Sequence, residues 1–169
     1  MKTATTAGKT GNRAPGANEA LRATERLYGL SSEQASHLAV SWRLALKAAG
    51  DFGRDFYANL FRACPALVEL FPGDMSKQQQ RLTETLGDAV ALADRPEKLV
   101  LLLQAAGVRH RHYGVRNAHF AIMERELLRT LAQGIGPAFG DRQEAVWQSF
   151  FHNMSLVMRH AMAQAASGG

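Results

Sequence analysis

Residues 99–120 read LVLLLQAAGVRHRHYGVRNAHF, and the parsing of this stretch decides the fold. Leu99, Leu103 and Ala106 recur at spacings of four and three, the period of one helical face. The next position on that stripe is His110, so an imidazole stands where the pattern asks for another apolar side chain. A polar group on a buried face must find a partner or be desolvated at a cost of about 1–3 kcal/mol. On its own, such a histidine is more often a hydrogen-bonded core residue than a ligand. The turn His112-Tyr113-Gly114-Val115 follows, and a second amphipathic run begins beyond it.

The flanking sequence is helical in both directions. Ser31 and Gln34 have the spacing of a capping box, and Leu38, Trp42, Ala45, Leu46 and Ala49 behind them define one helical face. A second helix holds Phe52, Phe56, Leu60 and Ala63, with Tyr57 beside that stripe. Pro65 ends it and opens a short helix with Leu67, Leu70 and Phe71, which Pro72-Gly73 breaks. The next helix runs from Asp74 or Met75 to Ala93, with Gln78, Leu82, Leu86 and Ala89 on its buried face. Pro96 opens the helix that leads to His110. Beyond Gly114 come a helix over 117–132, with Phe120, Met123, Leu127, Leu128 and Leu131, and a last one from Asp141, with Trp147, Phe150, Phe151, Met154, Val157, Met158 and Ala161. No segment alternates with period two and no repeat is present, so the expectation is an all-α domain of seven to eight helices around one core.

Composition narrows the function classes. A chain of 169 residues with 46% hydrophobic content suits one domain with a tail. Residues 1–29 form a basic, Ala/Gly/Thr-rich extension, expected to be largely disordered with a short helix at 19–29; the domain covers 30–165, and 166–169 are expected to be loose. The first 28 residues carry +3 of the formal +5, which leaves the rest with +2 and gives little reason to expect nucleic-acid binding. The single Cys64 excludes an internal disulfide framework and fits a reducing, cytoplasmic setting. No apolar run reaches about 18 residues, so no membrane span is expected, and the N-terminus lacks the pattern of a secretory signal. His119, His152 and His160 read as surface or core-edge residues, and the His110/His112 pair does not share a helical face as a zinc site would.

Three polar residues on apolar faces, His110, Tyr57 and Gln78, make a metal donor, a phenol and an amide available to one another. Together they suit a metal-bound diatomic gas. The order FYANLF (56–61), Pro65, ALVELF (66–71), a glutamine seven residues after Phe71, QRL…LG (80–87) and GVRHRHYGV…HF (107–120) resembles the globin family. The likeness is nearest to bacterial single-domain haemoglobins and to the haem domain of flavohaemoglobins, and it extends over residues 30–165.

The resemblance implies a globin fold holding haem b, iron protoporphyrin IX, with His110 as the proximal iron ligand. It implies that Phe71 stacks on the porphyrin, that Leu82 and Leu86 line the distal side, and that Val115 and Phe120 pack under the proximal face. Tyr57 and Gln78 become the distal polar pair. Arg81, Arg109 and His112 are the candidates to meet the haem propionates, since a guanidinium forks onto a carboxylate. The other nitrogen of a ligating imidazole needs an acceptor, and the Ala106 carbonyl, one turn earlier, is available.

The resemblance also has gaps. Flavohaemoglobins carry FAD and NAD domains after the globin, a tyrosine where this chain has Phe120, and a glutamate late in the last helix where Met162 or Ala163 stands here. That hydroxyl–carboxylate pair raises electron donation by the proximal histidine, so its loss speaks against peroxidase-like or fast redox chemistry. The expectation is therefore a protein that reversibly binds oxygen, with nitric oxide and carbon monoxide as further ligands, with high affinity through the Tyr/Gln pair, and without catalytic residues. The alternatives are a nitric oxide dioxygenase served by a separate reductase, and a haem-based gas sensor. Monomer and homodimer both remain open.

Overall fold

The computed structural model describes residues 30–48 and 50–167. The N-terminal extension, its short helix at 19–29 and Ala49 lie outside the described residues. Six α-helices follow in order: α1 (Ser32–Ala48), α2 (Phe52–Ala63), α3 (Met75–Ala91), α4 (Pro96–His112), α5 (Asn117–Ile135) and α6 (Asp141–Ser167). Two 3₁₀ turns, Pro65–Leu70 and Gly136–Ala138, complete the set, and no strand occurs among the described residues.

The helix starts are chemically marked. The Ser31 N–H donates to Gln34 Oε1 at 3.0 Å while the Gln34 N–H donates to Ser31 Oγ at 3.2 Å, the reciprocal capping box. Asp51 caps α2 by accepting from the Arg54 N–H at 3.0 Å, and Asp74 caps α3 by accepting from the Ser76 N–H at 2.9 Å. Pro96 occupies the first turn of α4, where no backbone donor is needed. α5 runs three residues beyond the expected Ala132, because Gly134 is tolerated inside it; Gly136, at φ +67°, is the stop. α6 continues to Ser167 and overlaps the segment expected to be loose.

The core forms where α5 and α6 cross α1. Trp147 is fully buried, and its Nε1–H donates to Ser41 Oγ at 2.8 Å, which satisfies the indole among apolar neighbours. Trp42 meets Phe52 edge-on at 4.9 Å, and Trp147 lies 5.2 Å from Phe151. Leu46 departs from the expected face and is 42% exposed. The buried positions of α1 are Leu38, Ser41, Trp42 and Ala45, and at 3.6 residues per turn Leu46 stands roughly a quarter turn from their centre. Ala63, at the end of α2, is also exposed.

Two helix crossings depend on glycine. A Cβ at Gly53 would sit 2.3 Å from the Gln79 carbonyl oxygen, so α2 and α3 meet backbone to backbone there. A Cβ at Gly107 would sit 2.5 Å from the Met158 carbonyl oxygen, and the same closeness holds α4 on α6. α2 is joined to α5 through Asn59, whose Nδ2 donates to Thr130 Oγ1 at 3.0 Å and to Gln133 Oε1 at 2.8 Å.

The pairing of helices leaves one opening that matters. α3 packs on α1 and α2, whereas α4 packs on α6. α3 and α4 are consecutive in the chain, joined by a short turn, yet they form no packed pair.

Candidate functional site

His110 continues the stripe of Leu99, Leu103 and Ala106, all three buried, and is itself half-buried near the end of α4. Its Nδ1 lies 2.8 Å from the Ala106 carbonyl oxygen. A carbonyl only accepts, so the ring carries its proton on Nδ1 and leaves the Nε2 lone pair unengaged. Burial lowers the His110 pKa below its ordinary value of 6.5; the Ala106 carbonyl raises it, and the Arg109 charge lowers it. The net result favours the neutral ring. Phe120 on α5 is buried and stacks on the imidazole at 6.3 Å and 29°. Val115 is half-buried, and its N–H donates to the His110 carbonyl at 3.0 Å, which ties the turn to the helix end.

A second group forms across α2, the first 3₁₀ turn and α3. Tyr57 is buried, and its ring meets Phe71 edge-on at 5.1 Å, Phe56 edge-on at 5.1 Å and Phe61 at 5.6 Å. Burial pushes the phenol up to about 12, so it stays protonated as a donor. No residue among those described accepts a hydrogen bond from it. Gln78 and Leu82 are half-buried and Leu86 is buried, at successive turns of α3.

The structure thus brings together His110 with Phe120 and Val115, and Tyr57 with Phe71. α2, which carries Tyr57, packs on α5, which carries Phe120. Arg81, Arg109 and His112 are exposed and make no ion pair among the described residues. Phe61 completes the aromatic wall beside Tyr57 and Phe71 at 5.7 Å from the latter; its spacing of four from Tyr57 was the available signal. His119 is buried at 8% exposure in the first turn of α5, more deeply than a surface or core-edge reading expects. Its Nδ1 lies 3.2 Å from the Arg116 N–H and its Nε2 3.2 Å from the Arg116 Nε–H. A neutral imidazole has one acceptor nitrogen, so only one of these contacts is a hydrogen bond at a time. Burial, then the Arg116 charge, lowers its pKa from the ordinary value.

Glu126 is a buried group that the sequence did not flag. It is 1% exposed; Oε1 accepts from Arg125 Nε at 2.8 Å, and Oε2 has no hydrogen-bond donor. It lies one turn before Thr130 on α5, next to the Asn59 linkage.

Comparison with known proteins agrees with this architecture. A family model described as Globin matches residues 54–158. The chain is 23% identical over 154 residues to a protein named anaerobic nitrite reductase AHB2 of Arabidopsis thaliana, covering 82% of this chain and 98% of that one. It is 26% identical over 106 residues to a flavohemoprotein of Rhizobium meliloti, covering 61% of this chain but 26% of the longer protein. Among solved structures, a hexacoordinated heme protein from an anhydrobiotic tardigrade superposes with a TM-score of 0.73 at 18% identity, covering 80% of this chain and 97% of its own.

Proposed function

This chain belongs to the globin family, and from that premise we propose that it is a haem protein that binds molecular oxygen and other diatomic gases reversibly and with high affinity. The cofactor in this reading is haem b, with His110 as the iron's protein ligand. The carrying observation is the His110 ring: Nδ1 is held by the Ala106 carbonyl, and Nε2 is left as a free lone pair on a half-buried helix face. The donor set fits the group, because a neutral imidazole, half-buried apolar side chains at Phe71, Leu82 and Val115, and the hydroxyl of the buried Tyr57, which has no acceptor among the described residues, suit an apolar macrocycle with a polar guest.

When bound, haem supplies a ferrous iron that exchanges a gas molecule. The chain does the rest. Val115 and Phe120 hold the imidazole's orientation. Phe71, Leu82 and Leu86 keep water out. Tyr57 offers an O–H donor, and the Gln78 amide offers a second. In such low dielectric each donor is worth about 1–2 kcal/mol toward a polarised guest, which slows its release. Arg81, Arg109 and His112, all exposed, are the cations available to the haem carboxylates.

A Soret band in the purified or reconstituted protein, shifting with oxygen, is the expected result. A chain that takes up no haem overturns the reading. Nitric oxide dioxygenation with a separate reductase is the runner-up. It is favoured by likeness to a flavohemoprotein, and it requires sustained turnover when reductase, oxygen and nitric oxide are supplied together. A gas-sensor role requires a ligand-dependent change in a partner contact.

A further inference from the structure

α4 has two faces of different character. Leu99, Leu103, Ala106 and His110 turn inward at spacings of four, three and four. Leu101, Ala105, Val108 and His112 repeat that spacing two residues later, which puts them on the opposite side of the helix, about 200° round. All four are exposed, Leu101 by 66% and Val108 by 38%. α6 is the helix broadly packed on α4, so this outer ridge lacks a cover among the described residues. Cations flank it: Lys98 and Arg109 on one side, Arg111 on the other, and Arg116 beyond the turn, each exposed. None of them forms an ion pair among the described residues. Glu97, one turn before Leu101, is an exposed carboxylate at the N-terminal end of the ridge; from residue 98 to residue 123 the chain contains no aspartate or glutamate.

We propose that this face docks an acidic protein that donates single electrons, its carboxylates meeting Lys98, Arg111 and Arg116 and an apolar patch seating on Leu101 and Val108. The proposal rests on the haem reading above. An apolar centre inside a charged rim is the anatomy of a specific protein interface, and the sign of the rim selects an acidic partner. A second copy of this chain would set the same cations against one another. A bilayer would gain little, because surface binding scales with apolar area and the ridge offers only Leu101, Ala105 and Val108. Position gives the partner its chemistry. The ridge backs the helix whose inner face carries His110, so a docked protein lies about one helix diameter, ~10–12 Å, from the imidazole. With haem held at His110, such a partner would supply one electron from its reduced flavin to bring ferric iron to ferrous, with no bond formed or broken and no proton needed.

The probe is a flavodoxin, an acidic protein with a one-electron flavin. The haem-loaded full chain is titrated calorimetrically with oxidised flavodoxin, so that binding is read without reaction. Affinity is expected to fall at least about ten-fold between roughly 10 mM and 150 mM salt, as the Debye length shortens. Lys98→Glu with Arg111→Glu is expected to weaken binding by about ten-fold or more, mainly at low salt, and Leu101→Gln to weaken it several-fold at both salts. The Soret band and the rate of reduction by dithionite, a small reductant, stay unchanged in these exposed-site variants. Equal affinity of variants and wild type would falsify the proposal. Binding to phosphatidylserine vesicles but not to flavodoxin, with the same dependence on Arg111, reassigns the face to a membrane and overturns it. Self-association abolished by Leu101→Gln overturns it in favour of a second copy. A chain that takes up no haem yet binds flavodoxin in this salt-dependent way supports the docking face and removes the haem reading instead.

Discussion

His110 shows how far a single residue can be read. Its place on the stripe of Leu99, Leu103 and Ala106 follows from periodicity, and so does the Ala106 carbonyl one turn behind it, now found at 2.8 Å. Side chains that meet across the chain were less legible. Phe61 joins Tyr57 and Phe71, and Glu126 sinks to 1% exposure beside α2, because only the docking of helices fixes which flanks are covered. The Tyr57 phenol carries two predictions. Its loss in Tyr57→Phe removes one donor, worth about 1–2 kcal/mol, so the oxygen off-rate of the haem-loaded protein should rise roughly five- to thirty-fold in stopped flow. An unchanged rate sinks the ligand-facing role of Tyr57. The second concerns pH. Folding holds this phenol neutral, with its pKa up to about 12 against an ordinary 10.0. Below pH 10 both folded and unfolded chains keep the proton, and no penalty arises. As pH rises from 10 toward 12 the unfolded chain ionises first, so about 3 kcal/mol of stability drains away over that window. Denaturant midpoints at about pH 9 and about pH 11 should diverge more for wild type than for Tyr57→Phe.

Helices were read well where their ends are chemically marked. Ser31 with Gln34, Asp74 and Pro96 name their own starts, since each side chain answers or removes an orphan backbone donor; the Asp51 cap appeared only in the structure. Leu46 was misplaced because a stripe drawn on one helix does not say where its neighbours stop covering it. The glycine crossings were hidden for the same reason. Nothing in the local sequence sets Gly53 apart from Gly87, yet a Cβ at the first would meet the Gln79 backbone at 2.3 Å, while a Cβ at the second meets only Trp42 Nε1 at 3.4 Å. Gly53→Ala should therefore force α2 and α3 apart and cost about 1–3 kcal/mol, the usual range for overpacking. Gly87→Ala, which also gains helix propensity, should lose much less or gain stability. Thermal melts of the two variants side by side test this, and equal losses would show that the crossing is not rigid. Gly107→Ala should act similarly on α4 and α6, with the added effect of displacing the helix that carries His110, so its haem retention should fall more than its melting temperature suggests.

The molecule as a whole distributes its support unevenly. α5 is gripped by α1, α2 and α6, and it carries the Asn59–Thr130 linkage and the buried Glu126. The fold class and this crowded centre were legible from the density of apolar stripes alone. The failure of α3 and α4 to pack on each other was not, since chain neighbours joined by so short a turn ordinarily form a pair. α4 is consequently held by α6, while His110 near its end stays half-buried and its outer face is exposed. Local opening is cheapest where packing is one-sided. Amide hydrogen exchange of the haem-free chain should therefore be fastest in α4, ahead of α5 by about an order of magnitude or more, and haem should slow it there far more than elsewhere. Uniform protection along the chain would count against this. With His110 as the proposed iron ligand, such a helix would behave as a latch: it would hold haem and be closed by it, so the protein's hold on haem and the order of that segment would rise and fall together.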